Sequence, residues 1–233
     1  QIYTHEENRL ILQQLLPEAI LTTYETFDAE QLDELMEWAD LIGIGCGLGK
    51  SDTAKQLVSH TLTGAQVPCV VDADGINILA EHMEWLSETK ADVILTPHMK
   101  EMSRLLGCSV KELAEERMER LHTFVKQYPV VCVMKDARTL VAREHENTYL
   151  NLSGNAAMAK AGSGDVLAGI ITGILAQQCE LYTSACLGVF LHGLAGDEAR
   201  DKKGEYSVLA SDLIDQIGNV LKNIRGGRTD EDL

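Results

Sequence analysis

Residues Ser153–Gln177, SGNAAMAKAGSGDVLAGIITGILAQ, place a glycine-rich turn directly before a long apolar helix that the pattern starts near Asp165. Gly162 and Gly164 lack a Cβ, so the backbone there can take positive φ and approach a bulky anion. The first amides of the following helix have no intrahelical partner and carry the positive end of the macrodipole, which makes phosphate a natural ligand. One acid stands at that spot. Asp165 reads in two ways: a helix cap worth about 0.5–2 kcal/mol, or a general base taking a proton from a hydroxyl that attacks phosphorus. Val166, Leu167, Ile170, Ile171, Ile174 and Leu175 mix with Ala168, Gly169, Gly173 and Ala176, so apolar residues occur nearly all round and a buried helix is expected.

Such a helix needs a sheet to lie on, and the preceding chain supplies its strands. Leu41–Ile44 reads as a buried strand, after which Gly45, Gly47 and Gly49 lead into a helix starting near Ser51. The stretch LIGIGCGLGKS looks like a P-loop but has Ile44 where that motif requires its first glycine, and it does not fit G-x-G-x-x-G. Gln66–Val71 is the next strand; it ends in VDADGIN, whose Asp72 and Asp74 either hold a metal or a substrate hydroxyl or cap the next helix. Val93–Leu95 follows, closed by Thr96-Pro97-His98 before a helix MKEMSRLLG, in which His98 and Glu101 share a face. A charged, exposed helix over 111–127 precedes the core strand VVCVM at 130–134, a turn at Lys135–Arg138, a strand at Thr139–Ala142 and a short run near Tyr149 that pairs with it.

The two helices after the glycine-rich junction are LYTSACLGVFLHGLAGDEA and LASDLIDQIGNVLKNI, and His192 on the first of them reads as a core residue. At the front, Ile2–Thr4 reads as the end of a strand, followed by a short helix around Glu6–Gln14 and then by AEQLDELMEWA, capped by Asp28. Strand and helix alternate, and the glycine and polar signals gather where strands end. That pattern predicts a parallel α/β sheet with its site at the carboxyl edge.

With 233 residues, 45% of them hydrophobic, the chain can bury a substantial core as a single domain, expected over 1–225 with a disordered tail at 226–233. Its 36 acidic against 20 basic residues give a net charge of −16, which argues against nucleic acid and for a soluble, cytoplasmic surface. No apolar run reaches membrane-spanning length and no signal peptide is visible. The cysteines at 46, 69, 108, 132, 179 and 186 form no C-x-x-C pair, so reduced core thiols are expected, except for Cys46 inside the glycine loop.

Taken together, GCGLG at 45–49, DADGIN at 72–77, TPHMKEMSRLLG at 96–107, VMKDART at 133–139, the 154–177 junction and ASDLI at 210–214 resemble, in order and spacing, the ADP-dependent NAD(P)H-hydrate dehydratases. The resemblance implies an α/β fold, a ribokinase-like three-layer sandwich whose mostly parallel central sheet is flanked by helices. It implies a repair reaction in which the ring hydroxyl of the (S)-hydrate of NADH or NADPH is phosphorylated by ADP and phosphate then leaves, giving AMP, phosphate and NAD(P)H. By the same resemblance Asp165 is the catalytic base and also touches substrate, while Gly47 and His98 contact the hydrated nucleotide. Lys135, Asp136, Ala137, Arg138, Thr139 and Gly164 hold the adenine nucleotide, and Glu101 orients Mg²⁺ through water. A homo-oligomer and a functional pairing with an NAD(P)H-hydrate epimerase are also expected.

Four departures from the family pattern stand out: Cys46 for proline, Asp136 for glycine, Met99-Lys100 for Pro-Gly and Ala156-Ala157 for Pro-Gly. An acid at 136 beside a bound phosphate would be repulsive unless Lys135 or Arg138 compensates. The family's first strand and its glycine-rich turn have no counterpart within residues 1–233. Two other readings stay open: a vitamin-precursor or sugar kinase of the same fold, and a nucleotide-binding module without catalysis.

Overall fold

Short apolar strands with no polar face form the centre of the molecule, which is described over residues 1–226 of a computed structural model. Strands β1 (Ile2–His5) and β2 (Leu21–Tyr24) form a small parallel pair around the short helix α1 (Arg9–Leu15). After α2 (Ala29–Trp38) come β3 (Ile42–Ile44), α3 (Asp52–Gly64), β4 (Cys69–Val71), α4 (Ala73–Leu79), α5 (Trp85–Glu88) and β5 (Val93–Leu95). Then follow α6 (Met99–Leu105), α7 (Val110–Glu115), α8 (Arg117–Gln127), β6 (Val130–Met134), β7 (Leu140–Ala142) and β8 (Tyr149–Leu150). The chain ends in α9 (Ser163–Leu175), α10 (Leu181–Lys203) and α11 (Ala210–Gly226).

The main sheet has the order β3-β4-β5-β6-β7-β8, parallel from β3 to β6 and antiparallel at its last two pairings. Alternate residues of these strands feed two cores. Cys69, Val71, Val93, Leu95, Cys132 and Met134 pack on α3, α4, α6 and α8, while Val70, Ile94, Val131, Val133 and Val141 pack on α9 and α10. Burial on both faces is why these strands read as continuous apolar runs. The result is the expected three-layer sandwich. The β5–β6 pairing continues past the strands, through a bridge between His98 and Lys135 and a bond from Lys135 N to Pro97 O of 2.7 Å.

Several expectations are corrected. The strand expected at 66–71 covers only Cys69–Val71, because Pro68 has no amide to donate and contributes only its carbonyl, to Ile42 N. The helix expected at 111–127 breaks at Glu116 (φ −127°, ψ 25°), which turns α8 so that Leu121, Phe124 and Val125 face the sheet. Strand β2 was not anticipated. Helix α9 is not buried all round: Asp165, Gly169 and Gly173, spaced four apart, are exposed, and no atom lies within 4 Å of the place a Cβ would take at either glycine. None of the described elements covers that stripe. Asp165 and Gly169 border a cavity of about 920 Å³ between the β1–β2 pair and the main sheet, lined by Tyr3, Met36, Trp38, Ile42 and Thr172 among others, whereas Gly173 lines a groove that α9 shares with α10 and α11. Helix α11 runs to Gly226, the first residue of the tail expected at 226–233, and 227–233 lie outside the described residues.

Cys69 and Cys132 are buried in the core, and all six cysteines are free. No helix among the described residues is long and apolar enough to cross a membrane.

Candidate active site

The carboxyl ends of β3, β4, β5 and β6 and the amino end of α9 meet at one edge of the sheet, and the expected site residues come from these five places. After β3 the chain must pass hard against β4: a Cβ on Gly45, whose φ is +119°, would lie 2.0 Å from Asp72 O and 2.8 Å from Gly75 N. Only glycine fits there. The loop then closes through Leu48 N to Gly45 O (3.2 Å) and Gly49 N to Asp74 Oδ2 (2.9 Å), so Asp74 pins the glycine turn. Gly45→Ala adds backbone strain of about 1–3 kcal/mol to overpacking of about 1–3 kcal/mol. A fall in melting temperature of at least ~5 °C is expected, read by thermal unfolding.

Asp72 occupies the N-cap position of α4 but makes no capping bond with its side chain. Instead its carboxylate, 2% exposed, accepts from Lys135 Nζ at 2.6 Å through Oδ1 and faces Cys46 Sγ at 3.8 Å through Oδ2. Ala73, the next residue, is held at φ +50°. Cys46, Asp72 and Asp165 bring one ligand atom each within 4.8 Å of one another. Burial, followed by the charges of Asp72 and Asp165, pushes the Cys46 thiol up to about 12. Although Cys46 is exposed, its alkylation at about pH 8 is expected to be ~10²–10³-fold slower than that of a free thiol. Mass-spectrometric kinetics with iodoacetamide would measure this, and Asp165→Asn should speed the reaction.

His98 and Glu101 form a closed capping box at the start of α6. Glu101 N donates to His98 Nδ1 at 3.0 Å, His98 N donates to Glu101 Oε2 at 2.8 Å, and His98 Nε2 lies 3.3 Å from Glu101 Oε1. Glu101 is 4% exposed, and burial raises its pKa. Both of its oxygens are thus engaged by His98.

In the 135–139 turn the residues part company. Lys135 turns inward, lying 3.2 Å from where a Cβ on Gly164 would sit, whereas 136–138 are exposed. The negative charge of Asp136 is answered by Arg117 at the start of α8, at 2.9 Å, and not by Lys135 or Arg138. Arg138 reaches Leu152 O at 3.4 Å, and Thr139 Oγ1 donates to Asp136 O at 3.3 Å.

At α9 the N-cap is Gly162 (φ +85°), with no side-chain cap, so Asp165 does not cap the helix. It stands three residues further on, exposed at the rim of the cavity. Ser163, buried in the first turn, meets His192 Nε2 at 3.3 Å. Sequence reasoning passed over three partners: Lys135 for Asp72, Arg117 for Asp136, and His192 for the turn. The sole available signal was a charged residue directly ending a buried strand, VVD.

The open carboxylate of Asp165, the inward lysine and the first-turn amides of Gly164 and Asp165 stand together in an arrangement that can receive an anion such as phosphate, while the Ser163 amide is taken by Lys160 O at 3.3 Å. The oxygens of Asp72 and Asp165 also fit a Mg²⁺ that keeps its waters and takes most other ligands from substrate phosphates.

A bifunctional NAD(P)H-hydrate repair enzyme from Moorella thermoacetica is 39% identical over 217 residues, which are 92% of this chain and 40% of that protein. The chain therefore spans about two fifths of the length of such relatives. The ADP/ATP-dependent NAD(P)H-hydrate dehydratase of Bacillus subtilis, co-crystallised with ATP/Mg²⁺ and soaked with CoA, superposes with a TM-score of 0.79 at 30% identity, covering 94% of this chain and 78% of that one. Hydroxyethylthiazole kinase of Pyrococcus horikoshii, at 18% identity, covers 94% of this chain and 88% of its own with a TM-score of 0.69, a likeness of ribokinase-type fold alone. The family model described as NAD(P)H-hydrate dehydratase matches residues 1–219, and the chain belongs to that family.

Proposed function

We propose that the protein dehydrates the (S)-hydrate of NADH or NADPH at the expense of ADP. The observation that supports this most is the exposed, non-capping carboxylate of Asp165 at the amino end of α9, within 4.8 Å of the Cys46 thiol and the Asp72 carboxylate, with Lys135 beside the preceding Gly164. Asp165 takes the proton of the ring hydroxyl, whose oxygen forms a bond to the β-phosphorus of ADP while the bond to AMP breaks. The ring nitrogen's electron pair then expels phosphate, a far better leaving group than hydroxide, and the iminium left behind loses a proton from the adjacent ring carbon to water, restoring the ring double bond. The products are AMP, phosphate and NAD(P)H.

Gly47 and His98 flank the hydrated nicotinamide. Lys135 and Gly164 hold the transferring phosphate, with Asp136, Ala137, Arg138 and Thr139 along the adenine nucleotide. Arg117 offsets the charge of Asp136, which removes the main objection to an anion there. Mg²⁺, when bound, would neutralise charge on the transferring phosphoryl group, and Glu101, held in place by His98, is the residue that would orient it through water. The cavity between the β1–β2 pair and the main sheet opens beside Asp165 and gives the substrate room there. We further infer a soluble, cytoplasmic homo-oligomer working beside an NAD(P)H-hydrate epimerase.

Incubating hydrated NADH with ADP or ATP, and following phosphate together with the absorbance of reduced nicotinamide, tests this reading. Equal release of phosphate and NADH supports it. A stable phosphorylated product would indicate a kinase instead, and ADP binding without turnover a module without catalysis.

A further inference from the structure

The glycine-rich junction between β8 and α9 has little regular structure of its own, with only one 3₁₀ turn at Ala156–Met158 between Leu150 and Ser163. A reactive geometry must nevertheless be held to within about 0.5 Å. The support comes from one face of α10. His192, Gly193, Gly196 and Asp197 recur at the spacing that brings residues to one side of a helix, and each of them meets the junction.

Asp197 Oδ2 accepts from Gly154 N at 2.9 Å and Oδ1 from Asn155 Nδ2 at 2.8 Å. Asn155 Oδ1 in turn accepts from Ala157 N at 3.0 Å and so starts the 3₁₀ turn. Neither glycine has room for a side chain. A Cβ on Gly193 would sit 2.1 Å from Ser153 Oγ and 2.8 Å from the Ser153 carbonyl carbon, and one on Gly196 would sit 2.2 Å from Met158 Sδ. At the far end, His192 Nε2 meets Ser163 Oγ at 3.3 Å, two residues before Asp165.

We propose that this face of α10 is the positioning element of the catalytic turn, with Asp197 and His192 as positioning residues that hold its two ends and so fix the α9 amides and Asp165 against the phosphate. Burial holds the His192 imidazole neutral by pushing its pKa down to about 4. The Ser163 contact therefore persists across physiological pH without placing a second cation beside Lys135. One and two turns earlier the same face of α10 packs on the sheet core through Val189 and Ala185, so the hold on the turn is anchored in that core.

The proposal rests on the dehydratase reading for its catalytic consequence but not for its structural one, and the test separates the two. Asp197→Ala is expected to lower kcat by about 10²-fold, the typical cost of a misplacement near 1 Å, and to raise KM for ADP while leaving KM for hydrated NADH within about twofold. Asp197→Asn keeps an acceptor for Gly154 N and should recover most of the loss; His192→Gln should likewise outperform His192→Leu. In parallel, amide hydrogen exchange at residues 154–165 should quicken at least about tenfold in Asp197→Ala, whether or not wild-type protein turns over hydrated NADH. Unchanged exchange there would overturn the positioning role. So would an active wild type whose Asp197→Ala variant loses only melting temperature and keeps kcat.

Discussion

Asp165→Asn is expected to lower turnover of hydrated NADH by about 10²–10⁴-fold, the usual contribution of a positioned general base, with ADP affinity unchanged. Asparagine has nearly the same shape but cannot take the hydroxyl proton. The substitution should leave the fold alone, because Asp165 is exposed and Gly162, not Asp165, is the N-cap of α9. Loss of a first-turn acid costs only about 0.3–1 kcal/mol through the helix dipole. Removing one carboxylate from the Cys46–Asp72–Asp165 cluster offsets part of that. Calorimetric titration with ADP and single-turnover phosphate release separate binding from chemistry. Turnover within tenfold of wild type would exclude Asp165 as the base and leave the cradle without one.

The parts of this molecule that the sequence announced are those whose burial is complete. The strands Val93–Leu95 and Val130–Met134 are apolar on both faces because helices cover both, so no alternation had to be interpreted. Strand β2, LTTY, is half polar and pairs with a single neighbour, which gives it neither an apolar run nor a clean alternation. The helix expected at 111–127 was legible as helical but not as two pieces, since the break at Glu116 has neither proline nor glycine to mark it. Periodicity also failed at α9. Glycines at 169 and 173 look the same in a sequence whether another helix lies on them or a cavity does.

The site divides in the same way. Turns at strand ends are local, so the 45–49, 96–98, 135–139 and 162–165 segments could be placed at one edge from alternation alone. Their pairings are not local: Asp72 and Lys135 are 63 residues apart, and Arg117 and Asp136 are 19 apart. Nothing in either segment names its partner. The sequence reading therefore weighed Asp72 as a cap or ligand and looked to Lys135 or Arg138 to compensate Asp136; the structure removes the cap, pairs Asp72 with Lys135 and gives Asp136 to Arg117.

The pairing of Lys135 with Asp72 yields the second large effect. Lys135→Met is expected to destabilise the protein by about 3–5 kcal/mol, the usual cost of leaving one charge of a buried pair without its partner. Asp72 is 2% exposed, and its other neighbour, the Cys46 thiol at 3.8 Å, is a weak donor that cannot replace an ammonium. Asp72→Asn alone should cost less, because Lys135 is 17% exposed and can move its charge toward water or toward Asp165. The double variant Asp72→Asn with Lys135→Met removes both charges and should regain most of the lost stability, giving a coupling energy of about 1 kcal/mol or more in a double-mutant cycle. Function should not follow stability back. Lys135 Nζ lies beside Gly164, at the floor of the phosphate cradle, so any variant without Lys135 should bind ADP at least about tenfold more weakly, a loss of about 1.4 kcal/mol. Urea unfolding midpoints and ADP titrations on the same three proteins decide the matter. A Lys135→Met variant as stable as wild type would show that the pair is not structural, and a double variant with restored ADP affinity would remove the lysine from the nucleotide site.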